Sequence, residues 1–342
     1  MIFFNDPLSK EGLSEEIKGA IISGLSFYCY RLPRSGMIVF GSSEGFTEEF
    51  GTPGFVIGMF NPAIPYLTIP YKGTKNNLNV NSCYKMPIAS TTRKEYIDEI
   101  QKIQNSIAGI TGSKIVAARV MVIPGEMDPA DEFFKLSISF PDGYIFCFGT
   151  PATGCWIGAS PELLLESQSG YLKSMALAGT RKAATPGPWD DKNLEEQEIV
   201  TQYIIKLMKD SGLEPESDPP HTSVTGQIEH ICSHVYAKIT DSTPNLEQLL
   251  RRLSPTPALC GQPRPVALDV IKETEKFDRG CYGGFCGPYN SPEDFTFNVI
   301  VRCASFDSER VCKYVGGGIT AKSTAESEWL ESEAKLKNFI TR

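Results

Sequence analysis

At 342 residues, 41% hydrophobic and 22% charged, the sequence has the mix of a soluble globular protein and length for one large domain or two ordinary ones. Its net charge of −8 argues against a general nucleic-acid binder, which needs clustered Lys and Arg to neutralise phosphates. The start, Met1-Ile-Phe-Phe-Asn, lacks a secretory leader, and no run approaches the about 18 apolar residues of a membrane helix. The expectation is a cytoplasmic protein with no membrane or nucleic-acid partner. Ten cysteines without a Cys-x-x-Cys pair fit reduced thiols rather than a disulfide scaffold or a structural zinc site.

In chain order, Met37–Phe40 and Gly54–Phe60 have the composition of short strands between Gly- and Pro-rich turns. Thr92 to Ala108 is predicted as an amphipathic helix: Ile97, Ile100, Ile103 and Ile107 recur at helical spacing behind a Thr91-Thr92 start signal. Strands are predicted at Lys114–Ile123, Tyr144–Phe148, Leu163–Glu166 and Phe295–Ala304. Helices are predicted at Glu195–Ser211, with Val200, Tyr203, Leu207 and Met208 as its apolar stripe, and at Ala325–Ile340. Asp210–Thr222 reads as a polar, Pro-rich loop. Strands mostly follow strands, so the expected class is α+β with antiparallel sheets, in one domain spanning 1–342.

Charged residues on apolar faces mark the candidate site. Lys114 shares a strand face with Val116, Ala118, Val120 and Val122; desolvation there lowers an amine's pKa and frees it to act as a base. A lysine at a strand end that snorkels to solvent is the plainer alternative. Glu162, in Gly158-Ala-Ser-Pro-Glu162, sits on a sharp turn beside Leu163 and Leu165, where a carboxyl can stay protonated and act as an acid; an exposed hairpin Glu is the alternative. Glu196 lies on the stripe of its helix, whereas Glu195 and Glu198 face elsewhere. Glu328, Glu331 and Lys335 share one side of the last helix, either as an ordinary Glu331–Lys335 ion pair or as carboxylates for a hard cation such as Mg²⁺.

Arg302 lies in the apolar run Val299–Ala304 and suits bidentate recognition of a carboxylate. Gly316-Gly317-Gly318 would let backbone N–H groups approach an anion. His230 and His234, with Cys232 between them, share a face whether the segment is strand or helix, but no third ligand is specified nearby. No Gly-x-Ser-x-Gly, Walker or dinucleotide motif is present.

Taken together, these motifs resemble the chorismate-utilising family of isochorismate, salicylate, anthranilate and aminodeoxychorismate synthases. The resemblance is carried by Gly158–Glu162, Leu177-Ala-Gly-Thr180, Asp191-Lys-Asn193, Glu196, His230, Pro255–Pro263, Phe277-Asp-Arg279, Gly283-Gly284, Arg302, Gly316–Ile319 and Glu328–Glu331 with Lys335. It covers residues 111–342, leaving 1–110 as a divergent part. The resemblance implies two large antiparallel β-sheets flanked by helices, and Mg²⁺ held by Glu196 and Glu331 with Glu328 beside them. It implies chorismate contacts at Leu177, Ala178, Gly179, Thr180, His230, Arg302, Gly317, Gly318 and Lys335. In the water-using branch, the lysine matching Lys114 activates water to attack C2 and the glutamate matching Glu162 protonates the departing C4 hydroxyl.

Ala178 stands where aminodeoxychorismate synthases carry a nucleophilic lysine, and anthranilate synthases lack a lysine at the Lys114 position. Pro255–Leu259 is similar to isochorismate synthases, which serve menaquinone, siderophore or salicylate pathways. The implied activity is therefore isochorismate formation by a monomer. A salicylate synthase and a catalytically silent chorismate-binding subunit are the alternatives.

Overall fold

The computed structural model describes residues 9–72, 84–110, 112–225, 228–240 and 245–337. The side chains of Thr180, Lys192 and Thr225 lie outside this description, as do the first eight residues and the expected helix end at 338–340.

The described chain opens with α1 (Lys10–Ile22), then the antiparallel hairpins β1 (Ser26–Arg31) with β2 (Val39–Ser43) and β3 (Gly54–Gly58) with β4 (Leu67–Pro70). Next come α2 (Arg93–Ile107), β5 (Lys114–Pro124), α3 (Pro129–Ser139), β6 (Tyr144–Thr150) and β7 (Gly154–Ser160). β8 (Leu163–Gln168) and the long β9 (Tyr171–Lys182) precede α4 (Asp191–Asp210). Then follow β10 (Pro215–Ser217), β11 (His221–Thr225), β12 (Ile228–Lys238), α5 (Leu246–Leu253), β13 (Gly261–Gln262) and α6 (Arg264–Thr274). β14 (Phe285–Ser291), β15 (Asp294–Val299), β16 (Cys303–Phe306), β17 (Arg310–Ile319) and α7 (Ala325–Lys337) complete it.

Two antiparallel sheets result, so the α+β expectation holds. The first runs β13-β5-β17-β16-β7-β6-β1-β2, and the second β10-β12-β9-β8-β15-β14-β3-β4 with β11 added on β12. Their facing surfaces share one core. In β6, Tyr144, Phe146 and Phe148 point into it, while Ile145 and Cys147 point outward under α1 and α3. This period of two with both faces covered explains why β6 reads as an unbroken apolar run. The nine described cysteines are free thiols, eight of them buried.

Local signals explain the helices. Thr92 and Glu95 form a reciprocal capping box at α2, whose buried face is Tyr96, Ile100, Ile103 and Ile107; Ile97 is only half-buried. α4 begins four residues before the expected Glu195, because the Asp190 carboxylate caps the Asn193 N–H. The expected 210–222 loop contains β10 and the start of β11.

The expected strand Phe295–Ala304 is two strands in different sheets. β15 belongs to the second sheet and β16 to the first, and Arg302 occupies the crossing at φ +47°. Glu162 occupies the neighbouring crossing, from β7 to β8. The two crossings are bonded to each other: Ala159 N–H donates to Arg302 O, and Val299 N–H to Glu162 O, each at 3.0 Å.

Candidate active site

Glu162 is 5% exposed. Leu163, Leu164, Val200, Ile204 and Leu253 line the pocket against it. This desolvation pushes its carboxyl up to about 8, with the Thr256 hydroxyl and the Lys114 ammonium pulling the other way. At neutral pH the group is mostly a neutral acid. Lys114 is near enough to be felt at Glu162. It is the first residue of β5, paired with Gln262 of β13.

Two of the three glycines of β17 clear space for candidate site side chains. A Cβ on Gly318 would sit 2.2 Å from Lys114 Cε and 3.0 Å from Nζ. One on Gly317 would meet Glu328 Oε2 at 3.0 Å. Gly316 O accepts from Lys335 Nζ at 2.9 Å, and that ammonium also pairs with Glu331 at 2.7 Å. The ordinary i,i+4 ion pair considered above is thus present. Arg119, buried in β5, docks α7 by stacking 3.8 Å over Trp329 and pairing with Glu333.

Leu177–Thr180 is part of β9. Between the pairs Ala178↔Ile231 and Arg181↔Glu229, two β9 residues face the single His230 of β12, and Gly179 has φ +67°. That is a β-bulge with glycine in the left-handed region. The bulge aims Gly179 O at His230 Nδ1, 2.8 Å away, and a Cβ there would press on Asn193 Oδ1 at 2.9 Å. With Nδ1–H donated to Gly179, Nε2 is an acceptor, and Arg302 Nη2 donates to it at 2.9 Å. Burial and the adjacent guanidinium lower the His230 pKa to about 4, so the ring is neutral. His230 therefore holds Arg302 in place.

Arg302 departs from expectation in its setting. It lies at the sheet crossing rather than inside a strand, and burial alone depresses its pKa to about 10. Its Nη1 is buried with no hydrogen-bond partner. A guanidinium with one arm pinned and the other unsatisfied is arranged to receive an anion.

Of the carboxylates, Glu196 and Glu328 are half-buried, while Glu195 and Glu198 are exposed. Glu331 is 54% exposed and turned to Lys335. Among the described residues, Glu196, Glu328 and Glu331 are not drawn into one three-ligand cluster. The donor set is nonetheless all oxygen, on two helices, which fits a hard divalent cation. Leu177 is buried and Ala178 half-buried.

Sequence reasoning gave no individual role to Thr256 and Arg279. Buried Arg279 donates to Val116 O and Leu259 O, each at 2.7 Å, and pairs with Glu275, whose Oε1 accepts from Ala118 N–H. It thereby ties the Lys114 strand to the turn that carries Thr256. The only signal was that Arg279 and Thr256 fall inside two of the resemblance motifs.

Residues 70–342 match the family described as chorismate binding enzyme. The vibriobactin-specific isochorismate synthase of Vibrio cholerae is 28% identical over 266 residues, covering 74% of this chain and 67% of that protein. Isochorismate synthase EntC of Escherichia coli is 31% identical over 242 residues, covering 66% and 61%. Isochorismate synthase MenF of Bacillus subtilis is 28% identical over 73% of this chain, which spans 55% of its length. The fold is shared with Escherichia coli MenF at TM-score 0.74 and 20% identity, over 92% of this chain and 87% of that one. Bacillus anthracis DhbC gives 0.75 at 22%, over 95% and 97%. Matched over most of its length, this chain belongs to the chorismate binding enzyme family.

Proposed function

We propose that the protein is an isochorismate synthase, an isomerase that converts chorismate and water reversibly to isochorismate. The observation that carries this reading is a Glu162 carboxyl kept neutral by burial, with the Lys114 side chain close enough to act on it electrostatically. In this reading Lys114 takes a proton from water as its oxygen bonds to C2. The ring double bonds shift and the C4–O bond breaks. Glu162 gives its proton to the departing hydroxyl, which leaves as water.

Chorismate carries two carboxylates, and the unsatisfied Nη1 of Arg302 is the natural partner for one of them. Glu196, Glu328 and Glu331 are the residues that would hold Mg²⁺, which when bound offsets substrate carboxylate charge. Lys335, the Leu177–Thr180 bulge and the Gly317–Gly318 backbone would border the substrate. His230 acts through Arg302. Ala178 supplies no amine nucleophile, which supports water as the attacking group.

Incubation with chorismate and Mg²⁺, followed by chromatography, should yield isochorismate at an equilibrium reached from either side. Salicylate with equimolar pyruvate would instead identify a salicylate synthase. Unchanged chorismate would identify a silent binding subunit.

A further inference from the structure

We propose that His221, Cys232 and His234 form a binding site for a borderline transition-metal cation of the Zn²⁺ class, clipping the β11–β12 hairpin. One donor atom from each residue lies within 4.8 Å of the other two. His221 is the cross-strand partner of Cys232, and His234 lies two residues further along the same face. The two imidazole rings are 5.7 Å apart at 31°.

An outer carboxylate already orients one ligand. Asp218 Oδ2 accepts from His234 Nδ1 at 3.0 Å, its Oδ1 accepts from the His234 backbone N–H, and the Asp218 N–H donates to His234 O. With Nδ1–H committed, Nε2 of His234 carries the lone pair a metal needs. A divalent cation, one thiolate and the Asp218 carboxylate also sum to zero charge. Tetrahedral bonds to sulfur and imidazole place donors about 3.3–3.6 Å apart, so small side-chain rotations of about 1 Å close the site. Cys232 is buried, while exposed His221 leaves an entry path.

One thiolate with two imidazoles selects Zn²⁺ and its neighbours over Mg²⁺, the reverse of an all-carboxylate set. His230 does not belong to this cluster, since it is turned to Gly179 and Arg302. The proposal stands independently of the reaction assigned above.

The test is Co²⁺ titration of the full, metal-free, reduced chain with Mg²⁺ in excess. One equivalent should produce thiolate-to-cobalt charge transfer and intense tetrahedral visible bands, both displaced by Zn²⁺. Cys232→Ser should abolish the charge-transfer band, and His221→Ala should weaken Co²⁺ binding at least about tenfold. His221 is exposed, so that variant leaves the core untouched and decides the matter even where Cys232→Ser does not fold. A cobalt spectrum without a thiolate band, a band that survives Cys232→Ser, or unchanged affinity in His221→Ala would each overturn the proposal.

Discussion

Arg302 and His230 are joined by one hydrogen bond, Nη2–H to Nε2 at 2.9 Å, which exists only while the imidazole is neutral. Folding lowers the His230 pKa to about 4 from its ordinary 6.5. Between these values the unfolded chain binds the extra proton, so the stability contribution is full above pH 6.5 and falls as pH drops toward 4. Across the window the loss is roughly 3 kcal/mol. Urea unfolding at pH 7 and pH 5 should show it, and His230→Gln should show a smaller difference between the two pH values.

Arg302→Lys should raise KM about 10- to 100-fold with a smaller effect on kcat. A lysine offers no planar fork to grip His230 and an anion together. Steady-state kinetics of chorismate turnover would check it, and equal losses in kcat and KM would argue against a mainly binding role.

Glu162→Gln should reduce turnover by about 10²- to 10⁴-fold while retaining chorismate binding, measured by calorimetry. The wild-type rate should fall as pH rises through about 8, where the acid loses its proton. Stability follows the same sign. The folded state keeps this proton up to about 8 and the unfolded chain loses it near 4.5, so stability declines as pH rises between them. Glu162→Gln should remove that decline and unfold at a higher temperature than wild type at pH 8.

Gly318→Ala should leave the fold intact, since this position carries no left-handed φ. The added methyl would displace the Lys114 amine, and a shift of about 1 Å in a reacting group costs roughly 10²-fold in rate. Circular dichroism with kinetics would distinguish this from unfolding. Gly317→Ala, pressing on Glu328 instead, should raise the Mg²⁺ concentration needed for half-maximal activity.

Arg279→Ala should destabilise by about 3–5 kcal/mol, because it strands the Glu275 carboxylate in the core. Denaturant melts would measure it; a loss below about 1 kcal/mol would mean that water replaces the guanidinium.

Lys114 and Glu162 stand out in the sequence as charged side chains on an apolar background, but that pattern alone left a snorkelling lysine and an exposed hairpin Glu as alternatives, and the resemblance was needed to single the pair out. The position of Arg302 was not legible. Val299–Ala304 is apolar except at Arg302 because the chain stays largely covered as it passes from β15 to β16, and that continuity hides the change of sheet. His221 could not be joined to Cys232 and His234, since cross-strand register leaves no fixed spacing in the sequence. The polar residues Gln197 and Thr201 of α4 bond to each other on its covered face, outside the apolar stripe that marks the helix in the sequence.

The paired crossings that carry Glu162 and Arg302 make proton donor and anion holder passengers on one vehicle. Sliding of one sheet over the other moves both together, because each crossing is stitched to the strand beside the other. Breathing of the β-sandwich can therefore open the cleft to substrate without detuning the separation on which proton delivery depends. Lys114 enters the site from β5, three strands from β7 across the first sheet, and Arg279 ties that strand to the turn that carries Thr256. The base is thus coupled to the pair through a second, separate bridge.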